Sequence, residues 1–316
     1  MIKTIEYTKD KARTIDFSKV KLDHTQVAQR TFHWSDFLDP SDEDLRTLAK
    51  DSDFLMTDLK KCLDESARSR LIQRNNYTLI LFKAISDENK IVTVGLFFTK
   101  KSLVTVHKAG IKALVSIQAS TLSEKPITII KSGINYLLHQ ILQEIEMDYF
   151  RLFDEVEREM DKLEEKLFKK TRANIMHETF TIKKIMIYSK QALNANRETL
   201  NELEKVFQSN PTDKELIHHL FNEITQLIDE NTLYHERLTG VIDAHLTKQS
   251  NDLNEVMKSF TVIASLILLP TLVAGAYGMN LVLPLGDHPQ GFWILLGVMA
   301  LVVTLMFLFF KKKGWV

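Results

Sequence analysis

Phe260-Thr-Val-Ile-Ala-Ser-Leu-Ile-Leu-Leu-Pro270-Thr-Leu-Val-Ala-Gly-Ala276 decides the architecture, because no charged side chain occurs from Phe260 to Gly286. After Asp287 and His288 the uncharged run resumes and lasts to Phe310, ending in Val302-Val-Thr-Leu-Met-Phe-Leu-Phe-Phe310. A helix needs about 20 apolar residues to cross a hydrocarbon core. The first run reaches that length through Ser259 and Met257 at one end and Tyr277 at the other, and Phe292–Phe310 supplies 19 residues by itself. We therefore expect two membrane spans, 257–277 and 292–310, joined by a short loop, 278–291. Lys311-Lys312-Lys313 opens a basic tail, 311–316, Lys248 and Lys258 precede the first span, and Leu281–Gly291 has neither Lys nor Arg. The positive-inside rule then puts both termini in the cytoplasm and the loop outside. Trp293 and Trp315 stand near opposite ends of the second span, as interfacial anchors do.

The rest of the chain is of another character. Mean hydropathy over the whole sequence is only -0.10, so the apolar weight is gathered at one end. The 316 residues hold roughly two domain-sized units. The 41 basic and 41 acidic side chains cancel, which argues against a dedicated nucleic-acid binder. A single cysteine, Cys62, excludes an intrachain disulfide and a cysteine zinc cluster, and reads as a small, half-buried hydrophobe. Met1-Ile-Lys-Thr-Ile-Glu-Tyr7 has no apolar stretch after its basic residue, so no signal peptide is expected.

Residues 1–130 alternate strand-like and helical patterns. Arg70–Arg74, Tyr77–Ala84, Ile91–Thr99 and Ser102–His107 are rich in β-branched and aromatic residues, with Ser86-Asp-Glu-Asn-Lys90 as a hairpin turn. Pro40-Ser-Asp-Glu-Asp44 reads as a capped helix start and Phe54–Glu65 as a second helix. The expectation is an α+β cytoplasmic domain, helices on a mixed sheet. It has no Walker A or GxGxxG motif, so no nucleotide or other organic cofactor is expected. His177-Glu178 lacks the second histidine of a zinc-hydrolase helix, and no paired nucleophile and base emerges.

From 131 to 256 the chain reads as a helical stalk region. Ile134, Leu137, Leu138, Ile141, Leu142 and Ile145 recur at three- and four-residue steps, one face of an amphipathic helix. Glu144–Lys166 is acid-rich, either a solvated helix face or a surface that senses divalent cations. Pro211-Thr-Asp-Lys-Glu215 opens a further helix with proline in its first turn and acids beside its dipole. Nothing but Gly240 then weakens the pattern before Pro270. One helix from Pro211 to Ala276 spans roughly 100 Å at 1.5 Å per residue, and copies of itself in an oligomer are the economical packing partners.

Tyr277-Gly278-Met279-Asn280 ends the first span: a neutral motif in which glycine permits close backbone approach and asparagine offers an uncharged carboxamide oxygen. On this motif, ahead of the second of two C-terminal spans, the chain resembles the CorA magnesium-transporter family. Asn254-Glu-Val-Met-Lys258, Thr261-Val-Ile-Ala264, Pro270-Thr271 and Ala274-Gly275 look like that family's pore helix, and Lys311-Lys-Lys-Gly-Trp-Val316 like its terminus. Trp34-Ser-Asp-Phe-Leu-Asp-Pro40, Leu103-Val-Thr-Val-His107 and Asp148-Tyr-Phe-Arg-Leu-Phe-Asp154 are similar to weaker landmarks upstream. The resemblance implies a homopentameric funnel whose central pore is lined by the first span, with Asn280 as a ring at the outer mouth. Matched position for position, the pore face includes Asn254, Met257, Phe260, Ala264, Leu268, Thr271 and Gly275, and Asp243 an acidic ring near the inner entrance. Independently of the family, the seven pore positions are spaced 3, 3, 4, 4, 3 and 4, a single helical stripe.

The resemblance makes the chain a divalent-cation channel of the plasma membrane, for Mg²⁺ and also Co²⁺ and Ni²⁺, with Mg²⁺ as substrate and internal regulator. Mg²⁺ gives up water reluctantly, so carboxamide oxygens suit an ion that passes hydrated, and a charge-free stripe does not hold it back. Met257 and Phe260 form a candidate hydrophobic constriction. His218-His219 stands where relatives carry an acidic residue, so the regulatory site is expected to differ here. Leu281-Val-Leu-Pro-Leu-Gly-Asp287 also departs from the family's Met-Pro-Glu-Leu loop, leaving Asp287 as its only acid. Two alternatives remain: a Zn²⁺ transporter of the same superfamily, and a membrane-anchored sensor or structural protein whose hairpin only tethers the α+β domain.

Overall fold

The computed structural model describes residues 1–8, 12–17, 31–122, 132–168, 175–279, 284 and 288–315. It contains two compact units, Met1–Thr239 and Gly240–Val316. The first is built on a seven-stranded sheet in the order β2-β1-β3-β7-β6-β5-β4. These strands are β1 Ile2–Tyr7, β2 Ala12–Ile15, β3 Phe32–Leu38, β4 Arg70–Gln73, β5 Thr78–Ile85, β6 Ile91–Phe98 and β7 Ser102–His107. Only β3 and β7 run parallel; the other neighbours are antiparallel. The expected turn closes β5 and β6: Ser86 N–H donates to the Lys90 carbonyl at 2.8 Å, with Asn89 left-handed at φ 57°.

One face of the sheet packs on α1 (Asp42–Ser52) and α2 (Met56–Cys62). Ser41 caps α1 through a reciprocal bond with Asp44. The α2 helix is shorter than the sequence suggests, because Phe54 packs among Tyr77 and Phe97 ahead of the helix rather than within it. Successive side chains of a strand alternate faces, and Leu79, Leu81, Phe97, Val104 and Val106 join Phe37, Leu45, Leu48 and Leu59 in this core. Asp58, fully buried on α2, takes hydrogen bonds from Lys61, Arg74 and Tyr77 at 2.8–3.0 Å. Burial alone would raise its carboxyl, and those donors reverse this and hold it at about 2.

Cys62 is indeed a buried small residue: its thiol donates to the Asp58 carbonyl at 3.3 Å, and burial pushes its pKa well up. A Cβ at Gly95 would fall 2.1 Å from its sulfur and 2.8 Å from its Cβ. Gly95→Ala is therefore expected to cost about 2–3 kcal/mol through overpacking, with partial recovery when Cys62→Ala is added. Thermal unfolding of the single and double variants checks both statements.

The other face is covered by α4 (Ile134–Phe168) and α5 (Ile175–Val206), with α3 (Lys112–Leu122) against α4. Asn196 of α5 and Tyr149 of α4 both donate to the Lys83 carbonyl of β5, at 2.9 and 3.1 Å. These bonds hold α4 and α5 on the sheet within the first compact unit, which continues to Thr239. The stripe read from Ile134 to Ile145 is buried along its length. The long helix α6 runs Pro211–Tyr277, one residue past its expected end, and α7 runs Gly291–Lys312. Within the first unit α6 lies parallel to α4, as Asn135 meets Asp213, Glu157 meets Tyr234 and Glu164 meets Arg237. It lies antiparallel to α5, as Lys190 meets Thr232 and Glu204 meets His218.

Candidate ion pathway

The second unit holds α7 and the C-terminal part of α6, both long and apolar enough to cross a membrane. They pack through Leu269, Pro270 and Val273 of α6 and Val298, Met299, Val302 and Val303 of α7. Pro270 cannot donate a backbone hydrogen bond, and next to it the Thr271 hydroxyl donates to the Ile267 carbonyl at 2.8 Å. That bond serves the Ile267 carbonyl, not the Leu266 carbonyl that the missing Pro270 N–H leaves free.

All seven stripe positions, Asn254, Met257, Phe260, Ala264, Leu268, Thr271 and Gly275, are exposed in the single chain. Met257, Phe260 and Leu268 are 62%, 66% and 70% exposed, so nothing in their own chain covers them. At about 100° per residue, the stripe lies on the side of α6 opposite Leu269, Pro270 and Val273. The helix thus has one face covered by α7 and an opposite uncharged face that includes Asn254 and Thr271. A Cβ at Gly275 would meet nothing within 4 Å. Asp243, one turn-multiple below the stripe, is exposed as well.

Past Ala276 the helix tightens. Gly278 N–H donates to the carbonyls of Ala274 and Gly275 at 3.0 and 3.2 Å, and Met279 N–H to Ala276 at 3.3 Å. A Cβ at Gly278 would sit in ordinary contact, 3.4 Å from the Ala274 oxygen and 3.5 Å from that of Gly275, so its own chain does not demand glycine there. The Tyr277 hydroxyl donates to the Pro284 carbonyl at 3.2 Å, tying the loop to the helix end. That anchoring role for Pro284 was not foreseen from sequence, where no local pattern marks its carbonyl as an acceptor. Asn280, residues 281–283 and residues 285–287 with Asp287 lie outside the described residues.

At the other end the tail turns back. Trp315 stacks on Phe310 with ring centres 5.7 Å apart, and its N–H reaches the Phe310 carbonyl at 3.0 Å. Gly314 and Trp315 line an open cleft with Asn254, Met257, Lys258 and Thr261. In the first unit, much of the acidic row on α4 is paired. Arg237 reaches Asp161 and Glu164 at 2.6 and 2.8 Å, Arg151 reaches Glu144 and Asp148, and Lys162 reaches Glu159. His218 and His219 face Glu204 and Glu223 at 3.6 and 3.5 Å. Among the described residues, no three His, Cys, Asp or Glu side chains converge to hold a metal ion.

A mixed-sheet unit whose last helix continues into the first of two apolar spans defines a membrane protein with a large extramembrane part. The family model described as CorA-like Mg2+ transporter protein matches residues 29–312, and the chain belongs to this family. It is 32% identical over 301 residues to the cobalt/magnesium transport protein CorA of Methanocaldococcus jannaschii, covering 94% of this chain and 95% of that one. The complete structure of the CorA magnesium transporter from the same archaeon matches with a TM-score of 0.89 at 29% identity, covering 100% and 99% of the two chains. The full-length CmaX protein shares the fold, with a TM-score of 0.77 at 16% identity over 99% and 97%.

Proposed function

We propose that this chain is one subunit of a homopentameric channel that admits Mg²⁺, and also Co²⁺ and Ni²⁺, across the plasma membrane. The observation that carries the reading is the uncharged, uncovered stripe of α6, which lies opposite its α7 contact and leads to Tyr277-Gly-Met-Asn280. Five copies of that face enclose the pore, Asn280 amides ring its outer mouth, and Asp243 rings its inner entrance. Both termini are cytoplasmic; 1–130 and 131–256 form the cytoplasmic domain and stalk, 257–277 and 292–310 the spans, 278–291 the external loop and 311–316 the tail. The relatives named for cobalt and magnesium transport support the ion assignment, and a stripe without histidine or cysteine disfavours Zn²⁺.

Inward passage needs no nucleotide. A divalent ion crossing 100 mV, negative inside, releases about 4.6 kcal/mol. Internal Mg²⁺ closes the pore by bridging acids of neighbouring subunits, a reading supported by the acid-rich Glu144–Lys166 row of the helical region that leads into the pore helix. Met257 and Phe260 then supply a constriction that empties of water.

Reconstitution into sealed liposomes, with Mg²⁺, Co²⁺, Ni²⁺ and Zn²⁺ entry measured separately, tests the proposal. Mg²⁺, Co²⁺ and Ni²⁺ should enter, and Mg²⁺ entry should slow as lumenal Mg²⁺ rises. Entry of Zn²⁺ alone would move the chain to the zinc alternative, and no entry of any ion would leave only the tether.

A further inference from the structure

Glu146 is the least expected side chain of the first unit. It lies on α4 with 1% exposure, and neither carboxyl oxygen has a hydrogen-bond donor. Its neighbour across the helix contact is the carboxyl of Glu223 on α6. Two ionised carboxylates can only accept, so this contact becomes a hydrogen bond when one oxygen carries a proton. Glu223 is half-buried and faces His219 at 3.5 Å, and His219 is exposed, giving a proton a route to the buried group.

We propose that Glu146 and Glu223 share one proton, forming a latch between α4 and α6 that releases as cytoplasmic pH rises. Burial first, and Glu223 second, hold the Glu146 carboxyl well above the usual range. His139, one heptad earlier on α4, is 5% exposed with both ring nitrogens unpartnered. Burial first and His219 second lower it from the ordinary imidazole range, against Glu223 and the Leu216 backbone, which raise it. Charged groups on α5 look elsewhere: Glu204 meets Lys214 and His218. On α4, Glu144 and Asp148 are occupied by Arg151. The inference does not depend on which ion the protein conducts.

The native state keeps a proton that the unfolded chain gives up near the ordinary carboxyl pKa. Stability is therefore full below that value and is lost as pH rises towards the native one. Over that interval the unfolding constant gains up to about tenfold per pH unit from this group alone. The test is thermal unfolding of the full chain in detergent from about pH 5 to about pH 9, beside Glu146→Gln and Glu223→Gln. Above about pH 7.5 an ordinary imidazole is about nine-tenths neutral, and His139, lowered from that range, drops out of the comparison. Glu146→Gln should melt higher than the parent above that pH, with the gap widening until Glu146 ionises, and Glu223→Gln should end the parent's loss at a lower pH, because Glu223 is one of the two causes that raise Glu146. An infrared band of a protonated carboxyl at neutral pH should vanish in Glu146→Gln. A Glu146→Gln curve parallel to the parent's, or a parent curve that a chelator reshapes, overturns the proposal; if Glu146→Gln does not fold, an unmoved Glu223→Gln curve does so.

Discussion

Asn280→Ala should abolish divalent entry into liposomes while leaving the protein folded and assembled. A hydrated ion at the outer mouth donates hydrogen bonds through its water shell, and alanine accepts none. A hydrogen bond to a charged partner is worth about 1.5–3 kcal/mol, so losing one oxygen alone costs about tenfold to a hundredfold, and the substitution removes every copy at once. Asn280→Asp separates chemistry from shape. A carboxylate ring should bind Mg²⁺ more tightly, lower throughput by slowing release, and keep flux measurable. Tracer uptake against external Mg²⁺ reads both effects. If Asn280→Ala carries ions as fast as the parent, the motif does not handle the cation, and the tether alternative gains.

Leu268→Arg is the second large effect, and it tests the stripe rather than the motif. Leu268 is 70% exposed on the face turned away from α7. In the proposed pentamer that side chain would face the ion path. Each arginine repels a divalent ion by about 1.4 kcal/mol at roughly 6 Å even in the dielectric of water, so five sum to about 7 kcal/mol. Flux should fall below detection, whereas Leu268→Met should retain it. A lipid-facing Leu268 gives a different pattern: Leu268→Arg would impair insertion or assembly, seen by cross-linking and size, and any protein that did assemble would still conduct.

The elements easiest to read were those in which one physical term dominates. The spans follow from uninterrupted apolar composition, and α6 from a proline in its first turn with no strong breaker for many turns. The stripe Ile134–Ile145 was legible because a single face is buried. Strand β3 was harder: Phe32-His-Trp-Ser-Asp-Phe-Leu38 has no clean alternation, because Ser35 and Asp36 are buried with their apolar neighbours. Asp36 is satisfied by Thr105 and His107 of β7 and by Gln118 of α3, at 2.5, 2.9 and 2.8 Å. Trp34 donates to Thr105 at 3.1 Å. The landmarks Trp34–Pro40 and Leu103–His107 are thus two sides of one polar network across the parallel strand pair, a pairing far apart in sequence that no local pattern announces.

The site divides in the same way. The face of α6 was chosen by its match to the family's pore helix, and helical spacing, which needs only 3.6 residues per turn, makes the seven positions one stripe. Glu146 escaped notice because it sits in a row of acids that reads as solvated, and only the packing of α4 against α6 shows that it differs from Glu144 or Glu159. Which acids meet across a subunit boundary depends on neighbouring copies, and a single sequence carries no direct imprint of that.

Cys62 has a practical consequence for mapping the permeation route. It is the sole cysteine, enclosed by Gly95 and Leu79, with its thiol held in the unreactive form. Towards water-soluble maleimides the native polypeptide therefore behaves as though it had no thiol. Single cysteines can be introduced along the first span, one position at a time, without first altering the parent, and the periodicity of labelling will trace which side of the rod meets water.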